Sequence, residues 1–260
     1  MLKIRVIPTL LWKNIGLVKG VGFHSWRRVG TVLPAIKVYN TREVDELILL
    51  DISATPDGRE PDYESVEEFS AECFVPLTVG GGIRDLDQIK RLLWAGADKV
   101  TINTAAFDDP SLVREAARRF GSQCIVAAID FRRLSDGRYE CYSHCGSKPT
   151  GRSPLDWAVE VEALGAGEIL LTSIERDGTM EGYDLELTRL VSERVRIPVI
   201  ASGGAGNYQH LYEAIAEGKA SAVAAASMFH FTQQTPLEAK HYLASKCVPV
   251  RRGGRLARPS

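Results

Sequence analysis

Two glycine-rich turns and one isolated carboxylate are the residues of this chain with the clearest chemical meaning. The run VPLTV enters Gly80-Gly81-Gly82, and the run IPVIA enters Ser202-Gly203-Gly204 at an offset of 122 residues. Glycine lets a backbone approach an anion closely, and successive N–H groups in such a turn form an anion-binding concavity. Asn103-Thr104 and Ala226-Ser227 end later apolar runs and add further donors. Gly81, Gly82, Asn103 and Thr104 are therefore candidates for one phosphate cradle, and Gly203, Gly204, Ala226 and Ser227 for a second. A substrate with a phosphate at each end follows. Asp130 ends the apolar run IVAAI, where a lone carboxylate faces a pocket and suits general acid/base work.

Arg5, Glu46, Lys99 and Glu168 stand near the beginnings of four apolar runs. Charges inside a barrel are costly unless paired, so two cations and two anions at one level predict a ring of salt bridges. Read structurally, such a ring plugs the barrel floor.

The elements that must position these groups alternate between short apolar runs and amphipathic stretches. Strands are predicted near residues 5–11, 46–52, 76–80, 98–103, 124–130, 168–173, 198–202 and 221–226. Helical stretches such as Asp85–Ala95, Pro110–Arg119, Pro154–Leu164 and Asn207–Glu217 lie between them, several opening on helix-start residues. Eight strand-helix units predict a (β/α)8 barrel. The 122-residue offset also pairs Ala95–Phe107 with Glu217–Phe229, which predicts that two half-barrels repeat one design. Chemistry in such a barrel sits at the C-terminal ends of the strands, where Leu11, Asp51, Asp130 and Asp177 join the glycine turns.

At 260 residues and 45% hydrophobic, the chain suits a single domain over residues 1–250, followed by a basic, Gly-rich tail at 251–260 expected to be flexible. A net charge of −1 predicts no partnership with nucleic acid or an anionic membrane. Five scattered cysteines, with no signal peptide and no long apolar run, fit a reducing cytoplasm. Cys141, His144 and Cys145 lie close together but lack the second ligand pair of a closed zinc site, so a local hairpin and no metal are expected. No cofactor is expected.

The motifs RVIPTL, ELILLDI, TVGGGIRD, GADKVTINTAA, AIDFRR, GAGEILLTSIERDGT, GYD, IPVIASGGAG and FHF together resemble the cyclase subunit of imidazole glycerol phosphate synthase, over residues 1 to about 250. The resemblance implies a lyase barrel that receives ammonia from a glutaminase subunit docked on its N-terminal face. The ammonia then reacts with a bis-phosphorylated ribulosyl-formimino-imidazole nucleotide. It implies Asp130 as the general acid/base, Lys19 in a flexible first loop that closes on substrate, and Asp51 and Asp177, with its neighbour Gly178, at the substrate mouth. Without the family, Asp51 and Asp177 read as turn caps and Lys19 as solvated. The Arg5, Glu46, Lys99 and Glu168 ring would be the ammonia gate.

One position departs. The family places a second catalytic Asp at the end of strand one, and this chain has Leu11 there in PTLLWK. Losing a positioned acid/base costs roughly 10²–10⁴ in rate. Relatives without that Asp accompany amidotransferases of surface-polysaccharide sugars, so the resemblance implies ammonia delivery to a third, ATP-using sugar amidotransferase. Two alternatives stand beside this: the histidine-pathway cyclase with another group replacing the Asp, and a non-catalytic scaffold that activates the glutaminase. The pathway's sugar-phosphate isomerase has no use for a charged floor.

Overall fold

A computed structural model describes residues 3–14 and 16–251. The strands are β1 (Arg5–Lys13), β2 (Gly16–Val21), β3 (His24–Gly30), β4 (Leu47–Asp51), β5 (Leu77–Gly80) and β6 (Lys99–Ile102). They continue as β7 (Ile125–Arg133), β8 (Tyr139–Ser143), β9 (Lys148–Pro149), β10 (Glu168–Ser173), β11 (Val199–Ser202) and β12 (Ala222–Ala225). The helices are α1 (Val32–Thr41), α2 (Tyr63–Ala71), α3 (Leu86–Trp94), α4 (Thr104–Asp108) and α5 (Ser111–Phe120). The rest are α6 (Pro154–Leu164), α7 (Leu185–Arg194), α8 (Tyr208–Ala216), α9 (Ser227–Phe231) and α10 (Pro236–Ser245).

Eight strands, β1, β4, β5, β6, β7, β10, β11 and β12, pair in parallel in that order, and β12 returns to β1 to close the cylinder. The fold is a (β/α)8 barrel. Helix starts follow local chemistry: Asp62, Asp85, Ser153, Asp184 and Asn207 each accept a backbone N–H three residues on. Thr235 and Glu238 form a capping box on α10. The larger apolar core lies between strands and helices, and includes Val6, Leu49, Ile102, Trp157 and Leu243. A separate cluster of Ile7, Ile48, Val126, Leu170, Ile200, Ala222 and Ala224 fills the barrel interior.

The observed strands differ from the expected eight in two places, and both matter for the site. β1 runs past Leu11 to Lys13 and folds back as the antiparallel hairpin β2–β3, with Leu11 opposite Val18. β7 runs past Asp130 to Arg133 and pairs with β8, with Asp130 opposite Tyr142. Lys19 therefore lies in a strand, and its segment is a paired hairpin rather than an irregular loop. Alternation failed to reveal it because Leu17, Val18 and Lys19 are all buried in succession. Cys141 lies in β8, and His144 and Cys145 form its turn at φ of 52° and 54°. The expected flexible tail at 251–260 lies, apart from Arg251, outside the described residues.

Candidate functional site

At the strand beginnings, the Arg5 guanidinium donates to Glu46 Oε1 at 2.8 Å and to Glu168 Oε1 and Oε2 at 2.9 and 3.1 Å. Lys99 Nζ donates to Glu46 Oε2 at 3.1 Å and to Glu168 Oε1 at 3.0 Å. Each cation thus bridges both anions, and the four side chains form the closed ring expected from sequence. Burial by itself would lower the Arg5 pKa, but attraction to Glu46 and Glu168 and their hydrogen bonds outweigh it and hold the pKa above its ordinary value.

At the other end lies a cavity of about 140 Å³. Leu11, Lys19, Asp51, Gly81, Gly82, Asn103, Thr104, Asp130, Asp177, Gly178, Gly203, Gly204, Ala226 and Ser227 all line it. The fold thus collects every residue proposed for the mouth, from nine separate stretches of the chain, into one pocket.

Asp130 sits on its wall, half-buried. Asn103 Nδ2 donates to Asp130 Oδ2 at 3.2 Å and is itself held by the carbonyls of Ala128 and Tyr142. Burial pushes the Asp130 pKa up to about 7, the negative charge of Asp177 adds to the rise, and a hydrogen bond from Thr172 opposes it. A carboxyl poised near neutrality can both take and give a proton.

Lys19 is buried, and its ammonium contacts both Asp177 oxygens, at 2.7 and 2.6 Å. The Gly22 N–H donates to the Asp177 carbonyl at 2.8 Å, so the hairpin is fastened to the loop after β10 by side chain and backbone together. Gly178, at φ +81°, allows this contact: a Cβ there would lie 2.1 Å from the Gly20 carbonyl. Asp51, which also lines the cavity, makes local contacts. Its Oδ1 accepts from Ser53 N, Ser53 Oγ and Ala54 N, and Arg59 lies 3.3 Å from Oδ2. Most of its acceptor capacity shapes the turn after β4, which is the capping role the sequence also allowed.

The glycine turns match one another closely. Gly81 at φ +110° packs on the Asp51 carbonyl, and Gly203 at φ +86° packs on the Ser173 carbonyl. At the end of the strand following each turn, a short helix opens without a side-chain cap: α4 after Asn103 and α9 after Ala226. Uncapped first-turn N–H groups beside glycine turns suit phosphate oxygens.

Sequence reasoning missed Phe23 and Trp26 from the hairpin, Thr9, Thr101 and Thr172 from the strand interiors, and Cys145, all of which line the cavity. The threonines were open to a stricter reading of alternation, since each is two residues from an inward-facing group. The aromatics and Cys145 were not, because hairpin packing brings them in. Burial, followed by the charges of Asp130 and Asp51, pushes the Cys145 thiol up to about 12, so it is protonated at neutral pH.

A family model described as "Histidine biosynthesis protein" matches residues 5–235, which spans the whole pocket and all four floor residues.

Proposed function

The chain belongs to this histidine biosynthesis protein family, and we propose that it is a cyclase-type barrel that takes ammonia through its floor from a glutaminase subunit. The observation that carries this reading is the closed ring of Arg5, Glu46, Lys99 and Glu168. A ring of four charges at the entrance to an apolar interior needs a reason to be there, because hydrophobic replacements of buried ion pairs are often neutral or stabilising. Admission of a small polar molecule supplies that reason. The two matched glycine turns support a bis-phosphorylated ligand at the opposite end, and also support the internal twofold repeat.

Leu11 supports delivery of the ammonia to an acceptor outside histidine synthesis, an amidotransfer in surface-polysaccharide sugar biosynthesis that involves a third, ATP-using protein. With Leu11 in place, Asp130 has no carboxylate at the equivalent end of the opposite strand to share proton transfer. The second reading, a histidine-pathway cyclase, draws on Asp130 itself, whose pKa near 7 fits one group serving as both acid and base.

Purified barrel supplied with ammonium chloride and the ribulosyl-formimino-imidazole nucleotide separates the two. We expect little or no imidazole glycerol phosphate, and formation at ordinary enzymatic turnover would rule out the amidotransfer reading.

A further inference from the structure

The first 42 residues contain no aspartate or glutamate but eight lysines and arginines, so all 33 acidic residues of the chain lie beyond them. Such asymmetry inside a chain of net charge −1 marks a surface that meets opposite charge. Folding neutralises part of it: Arg5 pairs with Glu46 and Glu168, Lys19 with Asp177, and Lys37 with Glu72. Lys13, Arg27 and Arg28, all on β1–β3, stay exposed and make no salt bridge among the described residues.

Their setting is an open sheet edge. β3 pairs only with β2, and its seven residues contain no proline. An edge strand presents a row of N–H and C=O groups that can pair with another chain. Beside it the Arg27 guanidinium lies 3.8 Å from the ring centroid of Phe231, at the end of α9, and both Phe231 and Val21 are exposed. Trp26, next to Arg27, lines the central cavity, as do Ala226 and Ser227 at the start of α9. The edge therefore stands on the lip of the pocket mouth, and the Lys19 and Gly22 contacts with Asp177 hold it there.

We infer that β3 is the docking edge for the protein that accepts ammonia from this barrel, pairing with an extended, acidic segment of that protein. The inference rests on the amidotransfer reading, in which an acceptor covers the mouth, and adds where and by what chemistry it does so. An acidic strand satisfies both parts of the surface: its backbone completes the β3 ladder and its carboxylates meet Arg27 and Arg28. A second copy of β3 is disfavoured, because it would set arginine against arginine. Nucleic acid and membranes fit less well. Strongly salt-dependent nucleic-acid binding draws on roughly six to ten phosphate contacts, and basic segments that bind anionic lipid carry about four to eight cations. On this edge only Lys13, Arg27 and Arg28 are free.

The test titrates isotope-labelled, full-length barrel with a peptide of alternating glutamate and valine as long as β3. Amide shifts and slowed hydrogen exchange confined to β3 and its neighbour β2 are expected. Arg27→Glu/Arg28→Glu should weaken binding at least about tenfold, since like charges then oppose, and the milder Arg27→Gln/Arg28→Gln should weaken it less. The same peptide N-methylated at alternate residues keeps its charge but cannot complete a ladder, and should not bind. Absence of β3 shifts in the wild type, equal binding of the methylated peptide, or unchanged binding to the glutamate variant overturns the proposal. So does a single-stranded oligonucleotide or a phosphatidylglycerol vesicle that occupies β3 where the peptide does not. The ammonium chloride assay separates this inference from the reading beneath it. A barrel that binds the peptide yet closes the imidazole ring at ordinary turnover loses the amidotransfer reading, and one silent in that assay without binding the peptide loses the docking edge alone.

Discussion

Leu11 and Asp130 occupy the same place on opposite walls of the barrel. Each sits where a parallel strand continues into an antiparallel hairpin, Leu11 facing Val18 and Asp130 facing Tyr142. β1 and β7 are four strands apart in either direction around the closed ring of eight. The two strand ends thus face one another across the pocket, one carrying a carboxylate and the other a buried leucine.

Leu11→Asp should restore the pair. Ring closure with ammonium chloride should rise by roughly 10²-fold or more, since a positioned acid/base contributes about 10²–10⁴. The same change should destabilise the fold by about 1–3 kcal/mol through burial of a polar group at a site 8% exposed. Steady-state assay and denaturant unfolding of the variant check the two effects together.

The pH dependence of stability should report Asp130. Its folded pKa of about 7 lies above the ordinary 3.8, so its stabilising contribution is full below about pH 4 and is lost as pH rises to about 7. Relative to Asp130→Asn, the wild type should lose up to about 4 kcal/mol across that window and stay level above it. Thermal unfolding of both proteins from pH 4.5 to 8 measures this, and a flat difference would contradict the raised pKa.

The Lys19–Asp177 pair should hold the hairpin down. Lys19→Met leaves Asp177 without its cation, and removing one member of a buried pair costs about 3–5 kcal/mol. Much of that loss should appear as local opening, because β2 and β3 form an outlying hairpin. Faster amide hydrogen exchange at Gly22, whose N–H donates to Asp177, is the expected signature.

The floor ring should behave as one unit. Glu168 accepts from both Arg5 and Lys99, so Glu168→Gln leaves two cations sharing Glu46. A loss of about 3–5 kcal/mol is expected. Adding Arg5→Met should recover part of it, which a double-mutant cycle in urea would show as a coupling energy.

The glycine turns should not tolerate a Cβ. In Gly204→Ala the new atom would lie 2.1 Å from the Gly182 carbonyl, at φ +111°. Gly81→Ala meets the Asp51 carbonyl at 2.2 Å and φ +110°. Both should lower the unfolding temperature and weaken binding of inorganic phosphate or a bis-phosphorylated analogue, as calorimetry can measure. Gly137→Ala, with open space around it, should leave phosphate binding unchanged.

Much of this site was legible before any coordinates. Strand positions, the two glycine turns, the place of Asp130 and the four floor charges depend on local pattern: apolar runs of strand length, a Gly-Gly at the end of two of them, and charges at the starts of four. The hairpins escaped because consecutive buried residues such as Leu17, Val18 and Lys19 break the two-residue period that marks a half-exposed strand. Asp51 shows a different gap. Its place in the sequence suited both a ligand contact and a turn cap, and only the folded chain shows its oxygens engaged by Ser53, Ala54 and Arg59 while it lines the cavity.

The sequence by itself determined the barrel, the identity of its charges and the absence of a carboxylate at position 11, because these follow from residue type and from periods of a few residues. Only the tertiary structure decided which groups meet. Lys19 and Asp177 are 158 residues apart, and Arg5 and Glu168 are 163 apart. Their contact is set by closure of β12 onto β1 and by the docking of the first hairpin on the loop after β10. The Asp130 pKa was likewise hidden, since it depends on how much water the folded pocket excludes and on the charge of Asp177. Desolvation and pairing are properties of the space between chain segments, and no local stretch of residues encodes them.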